Sequence, residues 1–178
     1  FIITMGIIVY CLIGFSLMYP GNFNIIGNGI LGFAGLGLDS AVAADLAYNE
    51  GYTYWTDLLF QAMFAATAGT IISGAVAERI KINSFMLIVF IYVGLVYPIV
   101  GSWQWGSGFL YSLGFYDFAG STLVHSVGGW GALIIIYILG ARKGKFDNNG
   151  NAVAIPGSNI PLSAAGVLIL WLGWFGFN

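Results

Sequence analysis

DLLFQAMFAATAGTIISGAVAERIK, residues 57–81, decides what kind of fold this is. Twenty residues separate Asp57 from Glu78, and none of them carries a charge. A helix rises about 1.5 Å per residue, so about 20 mainly apolar residues cross the hydrocarbon of a bilayer. Charges crowd the far end as Glu78, Arg79 and Lys81. The stretch therefore reads as a membrane span. Ala65, Gly69, Ser73 and Ala77 recur every four residues along it as one stripe of small side chains. Lipid offers no hydrophobic drive between helices, so a small-residue stripe of this kind is a packing face.

The rest of the chain agrees. Of 178 residues, 59% are hydrophobic and 7% charged, with a mean hydropathy of +0.90. Soluble domains carry about 25% charged residues. Lipid must therefore be part of the solvent. The net charge of −2 and the absence of a basic patch give nothing for nucleic acid to bind. Five spans are expected, over 1–19, 57–77, 83–101, 120–140 and 160–178, as one all-α polytopic domain fragment covering 1–178. Apolar runs at both ends mark the chain as a piece of a longer membrane protein, and no signal peptide is seen.

The connections alternate in charge. Segment 20–56 holds Asp39, Asp45 and Glu50 and no Lys or Arg; 102–119 holds only Asp117. All five basic residues fall in 78–82 and 141–159, which the span count puts on one side. The positive-inside rule makes that side cytoplasmic, with residue 1 inside and residue 178 outside, in a plasma (inner) membrane. The glycine-rich stretch GNFNIIGNGILGFAGLG shows no clear period, and a short helix is expected near 40–47. Pro156 and Pro161 give the last span an extended entry.

DFAGSTLVHSVGGWGALIIIYILG, residues 117–140, carries the single histidine of the chain, His125. Steps of three and four from His125 reach Ser121, Thr122, Gly128, Gly129 and Ala132, all small or polar. Val124, Val127, Trp130, Leu133 and Ile134 fall elsewhere, so the imidazole is expected to turn into the bundle. An ionisable group at membrane depth is a functional candidate, although histidine also serves as helix glue. A zinc site needs at least three ligands. One cysteine, Cys11, and no second histidine leave no metal site and no cofactor to expect, and no nucleophile–base pair marks an enzyme. Asp117, with Ser121, reads equally well as a helix cap.

Aromatic residues gather toward the expected outer side. Phe60 and Phe64 are four apart and share a helix face; Trp103 and Trp105 follow the third span; Trp174, Phe175 and Phe177 close the fifth. Such residues form interfacial belts, and their ring faces also attract ammonium-type ions.

With FQAMFAATAGTIISGAVAERIK at 60–81, DFAGSTLVHSVGG at 117–129 and GWFGFN at 173–178, the chain resembles the ammonium transporter family (the Amt, Mep and Rh group), and most the Amt branch. The resemblance implies an eleven-helix inverted-repeat fold assembled as a homotrimer with one pore per subunit. This chain would be its second to sixth helices. It also implies roles. Phe64 and Trp105 match the outer ammonium-recruiting aromatics, and Phe64 and Phe177 the stacked gate. Phe60 matches a wall position, Trp174 a pore-lining tryptophan and His125 the first of two pore histidines. Asp117 matches an acidic residue supporting the outer site and the nearby backbone. The second histidine would lie in the absent repeat, and the outer-site serine just beyond Asn178. Ser158 stands where the branch often has histidine, which bears on loop contacts rather than on pore chemistry. The implied function is passage of ammonium or ammonia for nitrogen uptake. The alternative is an ammonium sensor of the same fold, coupled to a fused signalling domain. A cytoplasmic regulatory protein is a further implied partner.

Overall fold

The computed structural model describes residues 1–22, 24–39 and 48–177. The short helix expected near 40–47 and the last residue, Asn178, lie outside the described residues. In chain order the elements are α1 (Ile2–Met18), β1 (Asn24–Ile26), β2 (Leu31–Gly32), α2 (Tyr54–Val76), α3 (Ile82–Ser102), the short α4 (Phe109–Ser112), α5 (Ser121–Leu139) and α6 (Ile160–Trp174). Among the described residues α2, α3 and α5 are long and apolar enough to cross a membrane; α1 and α6 are apolar but shorter. The chain is a helical membrane bundle, as its composition requires. It forms two compact units, Phe1–Gly140 and Ala141–Asn178.

In the first unit, α2 is the central helix. Thr53 caps it, its side chain accepting the Thr56 N–H at 3.3 Å, and Asp57 stands in the first turn, where carboxylates favour the helix dipole. The helix stops at Val76, where Ala77 turns extended and Glu78 takes a positive φ of 61°. Ala62, Ala65, Ala68 and Ile72 are buried along it. The stripe inferred from sequence is therefore partly right: Ala65 and Gly69 are buried, Ser73 is half-buried and Ala77 is exposed past the helix end.

Close approach is bought with glycine where α5 crosses α2. A Cβ on Gly128 would come within 2.9 Å of Ile71 Cβ and 3.0 Å of the Ala68 carbonyl oxygen. Gly128→Val in the full-length protein is thus expected to push the helices apart, at a cost of about 1–3 kcal/mol of overpacking. Thermal unfolding in detergent measures it; an unchanged midpoint would refute this packing.

Among the described residues three helices depart from regular winding. Tyr10–Gly14 in α1, Tyr92–Val96 in α3 and Ser121–Ser126 in α5 are π-helical turns. The one in α3 has a local cause. Pro98 has no N–H to give to the Gly94 carbonyl, and its ring would crowd that carbonyl in a regular helix. The wider turn just before it relieves both.

The two ends of the unit differ. At one end the glycine-rich segment meets the segment after α3: the Phe109 N–H donates to Gly29 O at 3.2 Å and Trp103 Nε1 to Ile30 O at 2.8 Å. The glycine-rich segment is not featureless. β1 and β2 pair antiparallel across a turn in which Asn28 and Gly29 have φ of 61° and 68°. At the other end, Arg79 Nη1 donates to Gly140 O at 2.9 Å, tying the turn after α2 to the residue that follows α5.

In the second unit, Asp147 closes a polar turn, accepting the N–H groups of Asn149 at 2.9 Å and Asn151 at 2.8 Å. The Asn151 side chain and these N–H groups hold its carboxyl below the usual range. Asn159 caps α6, its Oδ1 accepting the Leu162 N–H at 2.9 Å, and Pro161 occupies the first turn, where no N–H is needed.

Candidate functional site

The aromatic residues singled out in the first unit come together. Phe60 and Phe64, one turn apart on α2, meet edge to face with centroids 4.7 Å apart and planes at 73°. Trp105, carried by the segment after α3, stacks on Phe64 at 5.8 Å and 21°. These are the offset and edge geometries that aromatic quadrupoles prefer. Phe64 and Trp105 are half-buried and Phe60 is exposed, so this group of rings sits where the packed core meets the end of the bundle.

Trp105 is held from behind. Its indole N–H donates to the Asp117 carbonyl oxygen at 2.8 Å. The Asp117 side chain, 5% exposed, does a second job. Oδ1 accepts the N–H groups of Gly120 at 2.8 Å and Ser121 at 3.1 Å, and Oδ2 those of Thr122 at 2.9 Å and Leu123 at 2.8 Å. The Ser121 hydroxyl adds a longer contact of 3.4 Å to Oδ1. A helix start leaves its first N–H groups unpaired, and one carboxylate here takes four. Gly120 makes this possible with φ of 84°, and a Cβ there would press within 3.2 Å of the Trp105 ring. One residue thus fixes both the tryptophan and the start of α5.

His125 lies in the π turn that this cap begins, its N–H donating to Gly120 O at 2.9 Å, five residues back. The packed face of α5 is not the one drawn from His125. Leu123, Val124, Val127, Gly128, Gly131 and Ala132 are the buried face. Val124 and Val127, expected away from the packing face, are on it. His125 is on the exposed side of the unit, in a shallow hollow with Ser121, Ser126, Gly129, Trp130 and Leu133. Within this unit the imidazole is not enclosed. Among the described residues no three His, Cys, Asp or Glu side chains gather as a metal site would need.

A sequence profile of the Ammonium Transporter Family matches residues 1–178. This chain belongs to the ammonium transporter family. It is 46% identical over 179 residues to a putative ammonium transporter of Synechocystis, covering 100% of this chain and 39% of that protein. It is 39% identical over 185 residues to ammonium transporter Amt2 of Archaeoglobus fulgidus, covering 98% and 37%. The crystal structure of Saccharomyces cerevisiae Mep2 matches with a TM-score of 0.78 at 26% identity, over 99% of this chain and 38% of that one. The chain spans less than two-fifths of the length of these relatives.

Two further residues of this ammonium transporter family chain were singled out beyond α5. Trp174 ends α6, and Phe177 follows, its N–H donating to Trp174 O at 3.0 Å. Both belong to the second unit.

One group of residues escaped the sequence reading. Tyr19, Tyr48, Asp57 and Gln61 line a hollow beside Phe60 and Trp105. The Tyr48 hydroxyl donates to Asp57 Oδ2 at 2.7 Å, and Gln61 Nε2 donates to the Tyr19 hydroxyl at 2.8 Å. Burial first, then that bond to Asp57, push the Tyr48 phenol far above its usual range, so it stays a neutral donor. Gln61 was legible only as one more residue of the FQAMF run, because its partner lies 42 positions away.

Proposed function

We propose that the protein to which this chain contributes moves ammonium across the membrane, recruiting it at the Phe60, Phe64 and Trp105 rings and passing it inward along His125. The observation that carries this is the stack of Phe64 on Trp105, locked by the Trp105–Asp117 hydrogen bond at the end of a helix bundle of this family. Transferring a bare ion into hydrocarbon costs tens of kcal/mol. Ring faces supply about 0.5–2 kcal/mol each, enough to concentrate and partly desolvate the ion at the mouth and too little to carry it through. Parting the proton from ammonia is cheaper. An imidazole has two nitrogens able to hand a proton on, and His125 serves as one half of such a relay. Phe177 serves as a gate residue and Trp174 as a pore-lining residue of the full-length protein. The ring end faces outward and the Arg79–Lys81 end faces the cytoplasm of the plasma membrane, in agreement with the positive-inside rule. Three copies assemble, each with its own passage.

Uptake of radiolabelled methylammonium by cells carrying the full-length protein tests this. Phe64→Ala is expected to lower uptake at sub-saturating methylammonium at least threefold at equal protein level. Equal uptake by wild type and variant would contradict the recruiting role. No uptake by wild type above empty cells would contradict transport itself.

A further inference from the structure

Beside the ring stack lies a hollow of about 590 Å³, which shares Phe60 and Trp105 with it. Water occupies about 30 Å³ per molecule in the liquid, so a small cation fits with part of its hydration shell. Tyr19, Tyr48 and Tyr52 line the hollow too, and no described lining residue is Lys, Arg or His. Two of its side chains are more than nine-tenths buried: Asp57 at 8% exposed and Gln61 at 7%. Asp57 has the Tyr48 hydroxyl on Oδ2 but no basic lining residue to balance its charge. Gln61 spends its amide N–H on Tyr19, while its Oε1 is buried with no hydrogen-bond partner. Carboxylates away from water call for positive charge, and a buried carbonyl oxygen calls for an N–H. A cation bearing N–H groups meets both needs, and aromatic rings favour it further.

We propose that this hollow is a second binding site, for ammonium or a small primary ammonium ion, ahead of the ring stack. Asp57 supplies the charge, Gln61 Oε1 accepts an N–H, and the tyrosine rings form the wall. The ion passes from it to the stack of Trp105 on Phe64, since Phe60 and Trp105 border both places. The site rests on the transport reading above and adds a waiting position to it.

Ammonium-driven currents of the full-length protein in proteoliposomes test the site. Asp57→Asn keeps the side-chain shape and its acceptor for Tyr48. The half-saturating ammonium concentration is expected to rise at least threefold, with the maximal current within twofold of wild type. Asp57→Glu restores most of the affinity. Should Asp57→Asn fail to reach the membrane, Gln61→Met, which removes Oε1 at similar length, is expected to raise half-saturation at least threefold. Unchanged half-saturation in a folded variant overturns the site, as does a fall in maximal current alone. A wild type that gives no current overturns transport and the site together; wild-type current with unshifted variants overturns the site alone. Potassium in tenfold excess is expected to leave the wild-type half-saturation in place. Competition by potassium that disappears in Asp57→Asn would overturn the N–H assignment and leave a site for bare cations.

Discussion

Asp117→Asn in the full-length protein is expected to destabilise it by several degrees in thermal unfolding, although the change removes no bulk. The aspartate accepts four backbone N–H groups at the start of α5, two on each oxygen. Asparagine keeps one oxygen and turns an amide NH₂ toward the other two donors. One buried and one part-buried N–H then lose their partner, and the buried one alone costs about 1–3 kcal/mol. The effect reaches beyond stability, because the same residue's carbonyl oxygen holds the Trp105 indole at 2.8 Å. Weaker recruitment should follow, read as a higher half-saturating ammonium concentration in whatever protein remains folded. An unfolding midpoint equal to wild type would show that the cap is dispensable.

The second large effect is chemical. His125→Ala is expected to lower the ammonium-driven current of the full-length protein at least tenfold at equal protein amount. Groups that pass protons at the reacting centre contribute about 10²–10⁴-fold in rate. The structure makes the result readable. His125 is on the exposed side of its unit, outside the α5 face packed on α2, so alanine there opens no hole in that core. The thermal unfolding midpoint of the same sample separates lost chemistry from unfolding: a lost current with an unchanged midpoint reports on chemistry. Undiminished current would remove His125 from the route.

Much of this architecture is legible in the residues because lipid is an exacting solvent. Uncharged runs bounded by Asp57 and by Glu78, Arg79 and Lys81 leave few options besides a spanning helix. The Phe60–Phe64 pair follows from a spacing of four on one helix. The meeting of Trp105 with Phe64 does not, since they stand 41 positions apart; the resemblance implied a shared site, and the stacked geometry is seen only in the structure. Three features were hidden for local reasons. The β1–β2 ribbon was signalled by Asn28-Gly29 between apolar pairs, a hairpin pattern obscured by the surrounding glycines. The packed face of α5 was hard to tell from the His125 face, because small residues stand on both: Gly128, Gly131 and Ala132 on the buried side, Ser121, Ser126 and Gly129 on the exposed one. The Asp57–Tyr48 and Gln61–Tyr19 bonds join distant segments that no periodicity connects.

The most direct measurement is a density map of the full-length protein around His125. The account predicts protein on the side of α5 that Ser121, Ser126, Gly129, Trp130 and Leu133 outline, enclosing the imidazole in a narrow passage that runs on from the Phe64 ring. Acyl chains against that side of α5, or an imidazole walled off from the Phe64 ring, would contradict it.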